Sequence, residues 1–69
     1  GDQVVVVEDV ITTGGSAQRA IAAVRQAGAT VIGVLAVVDR EEGGREALSV
    51  ENVPIISLTT ISDLLARIP

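Results

Sequence analysis

Seven amino-acid types are missing from this 69-residue chain: lysine, histidine, cysteine, methionine, phenylalanine, tyrosine and tryptophan. The absence of cysteine excludes a disulfide staple, and the absence of aromatic residues leaves valine, isoleucine, leucine and alanine to build the core. Because there is no lysine, a bound phosphate has to be held by backbone N–H groups and a helix dipole.

The restricted composition is itself informative. These seven types make up roughly a fifth of ordinary proteins, so their chance absence over this length has a probability on the order of one in ten million. A genome rich in alanine, valine and arginine would suppress lysine but hardly every aromatic residue. We therefore interpret the sequence as engineered, with a deliberately reduced amino-acid alphabet.

Length and charge narrow the class of protein further. Residues 1–69 make one small domain, and such a chain buries only about 60% of its unfolded surface, so its stability should be marginal. A net charge of −4 argues against nucleic acid as a partner, because such binding needs a basic surface. No apolar run is long enough to span a membrane, and no signal-peptide pattern occurs. We therefore expect a cytoplasmic protein with no membrane partner.

The residues that indicate a binding function lie in the first segment of the chain, residues 3–16. Residues 3–7 predict a strand, and the β-branched run Val4–Val7 is typical of one covered on both faces. Polar and small residues follow it: Glu8, Asp9, Thr12, Thr13, Gly14, Gly15 and Ser16. Ser16 is a suitable N-cap for the next helix. Free N–H groups and the helix dipole would favour an anion there, while the carboxylates suit sugar hydroxyls or a hydrated cation.

The rest of the chain alternates between helical and strand patterns. We expect a helix over 16–27, strands over 30–38 and 53–58, and a charged loop over 39–44 with a short helical turn after it. Thr60 and Asp63 form a capping box for a final helix. Four apolar residues should form the inner face of that helix: Ile61, Leu64, Leu65 and Ile68.

This order predicts an α/β fold, a three-layer Rossmann-like unit with a three-stranded parallel sheet in the order 1-2-3. Ligands of such sheets bind at the carboxyl ends of the strands. Asp39 and Arg40, which follow the second strand, should therefore lie beside the polar residues that follow the first.

Other interpretations of these residues stay open. Glu8 and Asp9 are also typical of a solvated strand end, and Gly14-Gly15 of a simple tight turn. Arg40, among acidic neighbours, is typical of a surface ion pair, and Glu41-Glu42 of a solvated loop. A Walker loop is excluded because it needs lysine. A dinucleotide fingerprint fits poorly because its glycine spacing is missing, so a generic nucleotide-binding βαβ unit is a weak alternative.

Three sequence blocks resemble type I phosphoribosyltransferases. Residues 7–16, Val-Glu-Asp-Val-Ile-Thr-Thr-Gly-Gly-Ser, resemble the motif that binds phosphoribosyl pyrophosphate (PRPP). Residues 37–46 and 53–65 resemble the later part of the orotate phosphoribosyltransferase branch in order and spacing. The resemblance implies a phosphoribosyltransferase fold, of which this chain would be about the last third.

The resemblance also implies roles for individual residues. Glu8 and Asp9 would bind the ribose hydroxyls of PRPP, and Arg40, with Thr12 nearby, would face orotate. The residues that would bind the 5-phosphate are Thr12, Thr13, Gly14, Gly15 and Ser16. Magnesium would accompany PRPP with no protein ligand from this chain. The family's pyrophosphate loop, mobile basic loop and N-terminal hood have no counterpart here, so no catalytic residue is expected and the chain alone should be inactive.

The resemblance finally implies a partner. The first strand would lie in mid-sheet in such an enzyme, so here its outer edge would be unpaired. An apolar edge without proline or lysine is a template for another strand. We therefore expect a homodimer in which two copies of strand one pair antiparallel into a six-stranded sheet.

Overall fold

The computed structural model describes residues 1–68 and contains three strands and three helices. Strands alternate with helices along the chain, as the sequence pattern predicts. The elements are β1 (Gln3–Ile11), α1 (Gly15–Gln26), β2 (Thr30–Asp39), α2 (Gly44–Leu48), a 3-10 turn (Ser49–Glu51), β3 (Ile55–Thr60) and α3 (Ile61–Arg67). Within the described part of the chain, no helix is long and apolar enough to cross a membrane.

The sheet is parallel, with the order β1-β2-β3. Val6 pairs with Val34, which in turn pairs with Ile55. A bulge interrupts the first pairing, because Val4 pairs with Val31 but Val5 pairs with Gly33. The predicted strand order and α/β class are confirmed. Two right-handed crossovers in the same direction put α1 and α2 on one face of the sheet.

The core lies between that face and the helices. Ile21 of α1, Leu48 of α2 and Ala36 of the central strand are fully buried, and Val34 on the same strand is nearly so. Ala20 and Val24 pack at the margin of this cluster. Apolar positions at helical spacing on α1 therefore meet alternate residues of the strands, as the two periodicities require.

The opposite face of the sheet is open. Val7 is 68% exposed and Leu58 is 69% exposed, and Val5, Val37 and Ile56 are about half exposed. The prediction that Val4–Val7 is covered on both faces is wrong for residues 1–68: only the side chains of Val4 and Val6 turn toward α1. The chain thus supplies the sheet and one helical layer of the three-layer arrangement.

The last helix begins as predicted but packs differently. Thr60 is its N-cap, and the hydroxyl of Thr60 accepts a hydrogen bond from the Asp63 N–H at 3.1 Å. However, α3 buries none of its residues, and Leu65 and Ile68 are each more than 60% exposed. Of the predicted inner face, Ile61 is partly buried, whereas Leu64, Leu65 and Ile68 are exposed among residues 1–68.

Candidate functional site

The two carboxylates of the motif lie inside β1, because the strand continues to Ile11 instead of ending at residue 7. Glu8 still pairs with Ala36 in the ladder. Successive side chains of a strand point to opposite faces. Glu8 is therefore half-buried on the helical side, whereas Asp9 is exposed on the open side. The structure does not bring the two carboxylates onto the same face.

The loop after β1 turns directly into α1. Gly14 is the N-cap, with a left-handed backbone at φ 91°, and the Gln18 N–H donates to its carbonyl at 2.9 Å. Glycine adopts this conformation without a Cβ penalty. No side chain in residues 1–68 caps this helix, so N–H groups of its first turn are available to a ligand.

Ser16 is not the N-cap that the sequence predicts, because the helix begins one residue before it, at Gly15. The hydroxyl of Ser16 instead donates to Glu8 Oε1 at 3.2 Å. This contact links the helix start to the strand and occupies one acceptor position of the carboxylate.

A small concavity gathers part of the predicted site. It is lined by Glu8, Val10, Ile11, Thr12, Gly14, Ser16 and Ala17. Asp9, Thr13 and Gly15 lie outside this lining. Thr12 and Thr13 are both exposed, so their hydroxyls face solvent at the rim.

Arg40 lies beside this loop, as its place after the second strand predicts. Its N–H donates to the carbonyl of Ile11 at 2.9 Å, which sets its backbone next to Thr12. Its guanidinium pairs with Glu42 at 3.1 Å, and both side chains are about half exposed. Such a surface ion pair contributes about 0–1 kcal/mol, so Arg40 can exchange Glu42 for another anionic partner at little cost.

A larger cleft of about 570 Å³ opens between the carboxyl ends of β2 and β3. Its lining residues are Asp39, Glu41, Gly43, Arg45, Glu46, Ser57 and Thr60. Of the residues that the sequence places at this edge of the sheet, Asp39 belongs to it, whereas the predicted ribose-, phosphate- and base-binding residues do not.

Glu41 makes contacts that sequence reasoning missed. It accepts hydrogen bonds from the Ser62 N–H at 2.9 Å and from the Ser62 hydroxyl, which together lower its pKa below the ordinary value. Its own N–H donates to Asp39 Oδ1 at 2.8 Å, and its backbone is left-handed at φ 61°. Glu41 is exposed, as expected for a solvated loop, and it also joins the loop carrying Arg40 to the start of α3. No local pattern signals a contact 21 residues away.

Metal ligands are sparse in the part of the chain that the structure describes. Residues 1–68 contain no group of three or more acidic, histidine or cysteine side chains placed to hold a metal ion. Glu8 and Asp9, which are adjacent in sequence, face opposite sides of β1 and do not converge on one ion.

Comparison with protein families gives a match over most of the chain. The model described as "Phosphoribosyl transferase domain" matches residues 1–60. Among curated proteins, the orotate phosphoribosyltransferase of Aquifex aeolicus is 57% identical over 65 residues, which are 94% of this chain and 36% of that protein. The corresponding protein of Halobacterium salinarum is 60% identical over 65 residues, 94% of this chain and 37% of its own length. The chain thus spans little more than a third of these relatives.

Solved structures give the same result. The crystal structure of orotate phosphoribosyltransferase from Aeropyrum pernix superposes with a TM-score of 0.91 at 41% identity, covering 96% of this chain and 40% of that one. The Mycobacterium tuberculosis orotate phosphoribosyltransferase, solved in complex with PRPP, superposes with a TM-score of 0.84 at 45% identity. That match covers 90% of this chain and 37% of the other.

Proposed function

The chain belongs to the phosphoribosyl transferase domain family, and from this premise we propose that residues 1–69 carry the PRPP-binding unit of an orotate phosphoribosyltransferase. The observation that carries this proposal is the uncapped start of α1 behind the left-handed turn at Gly14. The PRPP complex of the Mycobacterium tuberculosis relative supports the same ligand for this chain.

The 5-phosphate of PRPP would bind at this helix start. Backbone N–H groups of Gly15 and Ser16 and the positive end of the α1 dipole would meet its oxygens, with the hydroxyls of Thr12 and Thr13 at the rim. Gly14 supplies the left-handed backbone that the turn into this helix requires. The chain has no lysine, but the Arg19 guanidinium lies near this helix start, since its Nη1 would be 3.4 Å from a Cβ placed on Gly15. Because Arg19 is exposed, we still expect weak affinity.

The ribose and base would lie toward β1 and β2. Glu8 would accept a hydrogen bond from a ribose hydroxyl through the acceptor positions that Ser16 leaves open, and Asp9 would need to reach around the strand end to do the same. Arg40, held beside Thr12, would face the carboxylate of orotate. Magnesium, where present, would be held by oxygens of PRPP itself, since the two motif carboxylates face apart. The ion would supply charge neutralisation of the pyrophosphate.

In the whole enzyme, the proposed reaction transfers ribose 5-phosphate from PRPP to orotate. The bond from the ribosyl carbon to pyrophosphate breaks, a bond to an orotate nitrogen forms, and the products are orotidine 5-monophosphate and pyrophosphate. The residues of this chain would hold the ribosyl group in place while the leaving group departs. Positioning of this kind contributes to rate by removing rotational freedom before reaction.

Anion binding should appear first in the amides of the helix start. Titration with ribose 5-phosphate, followed by amide NMR, should shift Gly14, Gly15 and Ser16 most, with a dissociation constant of about 1 mM, equivalent to about 4 kcal/mol. The amides of Ser62 and Asp63 at the start of α3, which already donate to Glu41 and Thr60, are an internal control. Equal shifts at both helix starts, or none at saturating ligand, would contradict phosphate binding by the β1–α1 loop.

Catalysis by the isolated chain should be undetectable. Stabilisation of a departing charged group often contributes several kcal/mol of barrier lowering, and this chain has no lysine to provide it at the pyrophosphate. Incubation with PRPP, orotate and magnesium should therefore yield no orotidine 5-monophosphate by chromatography. Magnesium-dependent turnover that is lost in Asp9→Asn would show that the chain is catalytically competent.

A second candidate is a fold model or phosphate-binding module without catalysis, built from a reduced amino-acid alphabet. The absence of seven residue types supports it. For residues 1–69 alone, under either candidate, we propose a homodimer through β1, because that strand lies at the edge of the sheet that residues 1–68 form. Antiparallel pairing of two copies would need a two-fold axis perpendicular to the sheet. Both open faces would then lie on the same side, leaving Val5 and Val7 uncovered by helices of either copy.

A further inference from the structure

Two loops from different crossovers touch backbone to backbone behind the candidate site. A Cβ placed on Gly44 would overlap the Ile11 Cγ2 methyl and lie 2.5 Å from the carbonyl oxygen of Thr12. It would also lie 3.2 Å from the nitrogen of Gly14. Gly44 is buried at the start of α2, so the β2–α2 loop packs directly against the loop that follows β1.

The contact is close from the other side as well. A Cβ on Gly14 would lie 3.1 Å from the carbonyl oxygen of Gly44 and 3.4 Å from Leu48 Cγ. Leu48 is fully buried, which fixes α2 in this position. Gln18 strengthens the same junction, since its side-chain amide donates to the Ala47 carbonyl at 3.2 Å.

We infer that Gly44 is a positioning residue for the phosphate loop, here residues 12–16. Its missing side chain lets the Thr12 carbonyl and the Gly14 nitrogen sit where the turn into α1 requires them. Any larger residue at 44 must push against backbone, which cannot rotate away as a flexible side chain can. The functional part of this inference rests on the proposed phosphate binding, whereas the geometric part does not.

The neighbouring glycine provides a matched control. Gly43 has a left-handed backbone at φ 88°, but a Cβ there would meet no atom within 4 Å. Gly43→Ala therefore strains the start of α2 without pressing on residues 12–16. Gly44→Ala adds the same methyl group one residue later, where it meets Ile11 and Thr12.

Amide spectra of both variants, recorded without ligand and with ribose 5-phosphate, test the inference. We expect Gly44→Ala to move the amides of residues 12–16 in the free protein and to weaken ribose 5-phosphate binding roughly tenfold or more, because small misplacements of binding groups are costly. Gly43→Ala should leave the amide shifts of residues 12–16 and the affinity for ribose 5-phosphate close to their values in the unaltered chain, although it lowers the unfolding temperature.

The outcomes separate this inference from the proposed function. If the unaltered chain does not bind ribose 5-phosphate, the proposed function is wrong. The amide shifts of residues 12–16 in the ligand-free protein still test the role of Gly44. A folded Gly44→Ala with unchanged shifts in this loop overturns the inference. Sucrose, which favours compact states, should restore folding if the variant is unstable in buffer. A variant that stays unfolded in sucrose also overturns it, because Gly44 would then support the whole fold.

Discussion

Ile21→Ala should remove a large part of the free energy of unfolding of this chain. Ile21 is fully buried between α1 and the sheet, and removing such a side chain from a core costs about 2–5 kcal/mol. At 0.05–0.15 kcal/mol per residue, a chain of this length has only about 3–10 kcal/mol of stability in total. There is no disulfide or aromatic side chain to compensate.

Urea unfolding followed by far-ultraviolet circular dichroism is the suitable measurement, because a chain without aromatic residues gives no fluorescence signal. Leu65→Ala is the matched control: Leu65 is also an apolar residue of a helix but is 63% exposed. Its replacement should change the free energy of unfolding by no more than about 0.5 kcal/mol. Equal losses in the two variants would mean that α1 does not supply the core of the folded chain.

Val7→Lys should convert a dimer into a monomer. Val7 lies in the middle of the edge strand β1 and is 68% exposed. Lysine on an edge strand opposes pairing with another strand, because pairing two copies would bring like charges together on the same face of the sheet. Sedimentation at micromolar concentration should give about twice the 7.0 kDa of one chain before the change and a single chain after it.

Leu58→Lys distinguishes edge pairing from contact between the open faces. Leu58 is 69% exposed on the same face of the sheet, but it lies on β3, the opposite edge. Association through the β1 edge should survive this change. Loss of the dimer in both variants would indicate that the open faces pack together, and a monomeric unaltered chain would contradict the homodimer altogether.

The sequence predicts the βαβ order well, because valine-rich strands and the Ala17–Ile21 spacing are local signals. It places the end of β1 too early. Glu8 and Asp9 have low strand propensity, yet both lie within β1, since the ladder to β2 continues to the pair Ile11–Asp39. Pairing with a neighbouring strand overrides the preferences of single residues at an exposed edge.

Features that depend on distant residues could not be predicted. The apolar spacing of α3 indicates a face but does not tell what covers it, and Leu65 has no cover in residues 1–68. The start of α1 depends on the left-handed turn at Gly14, which competes with the capping tendency of Ser16. The fit of Gly44 against Thr12 joins two loops of different crossovers and has no signature in either one.

Strand order also bears on how the chain acquires its structure. Each strand pairs with the next one in sequence, so each crossover closes a loop of roughly 20–30 residues. The entropic cost of closing a loop changes slowly with loop length, so the two closures have nearly the same entropic cost. As synthesis proceeds through residues 1–68, β2 can pair with β1 as soon as it has been made, and β2 then offers an edge to β3. The sheet can therefore grow in the direction of translation, without the rearrangement that an interleaved strand order would demand.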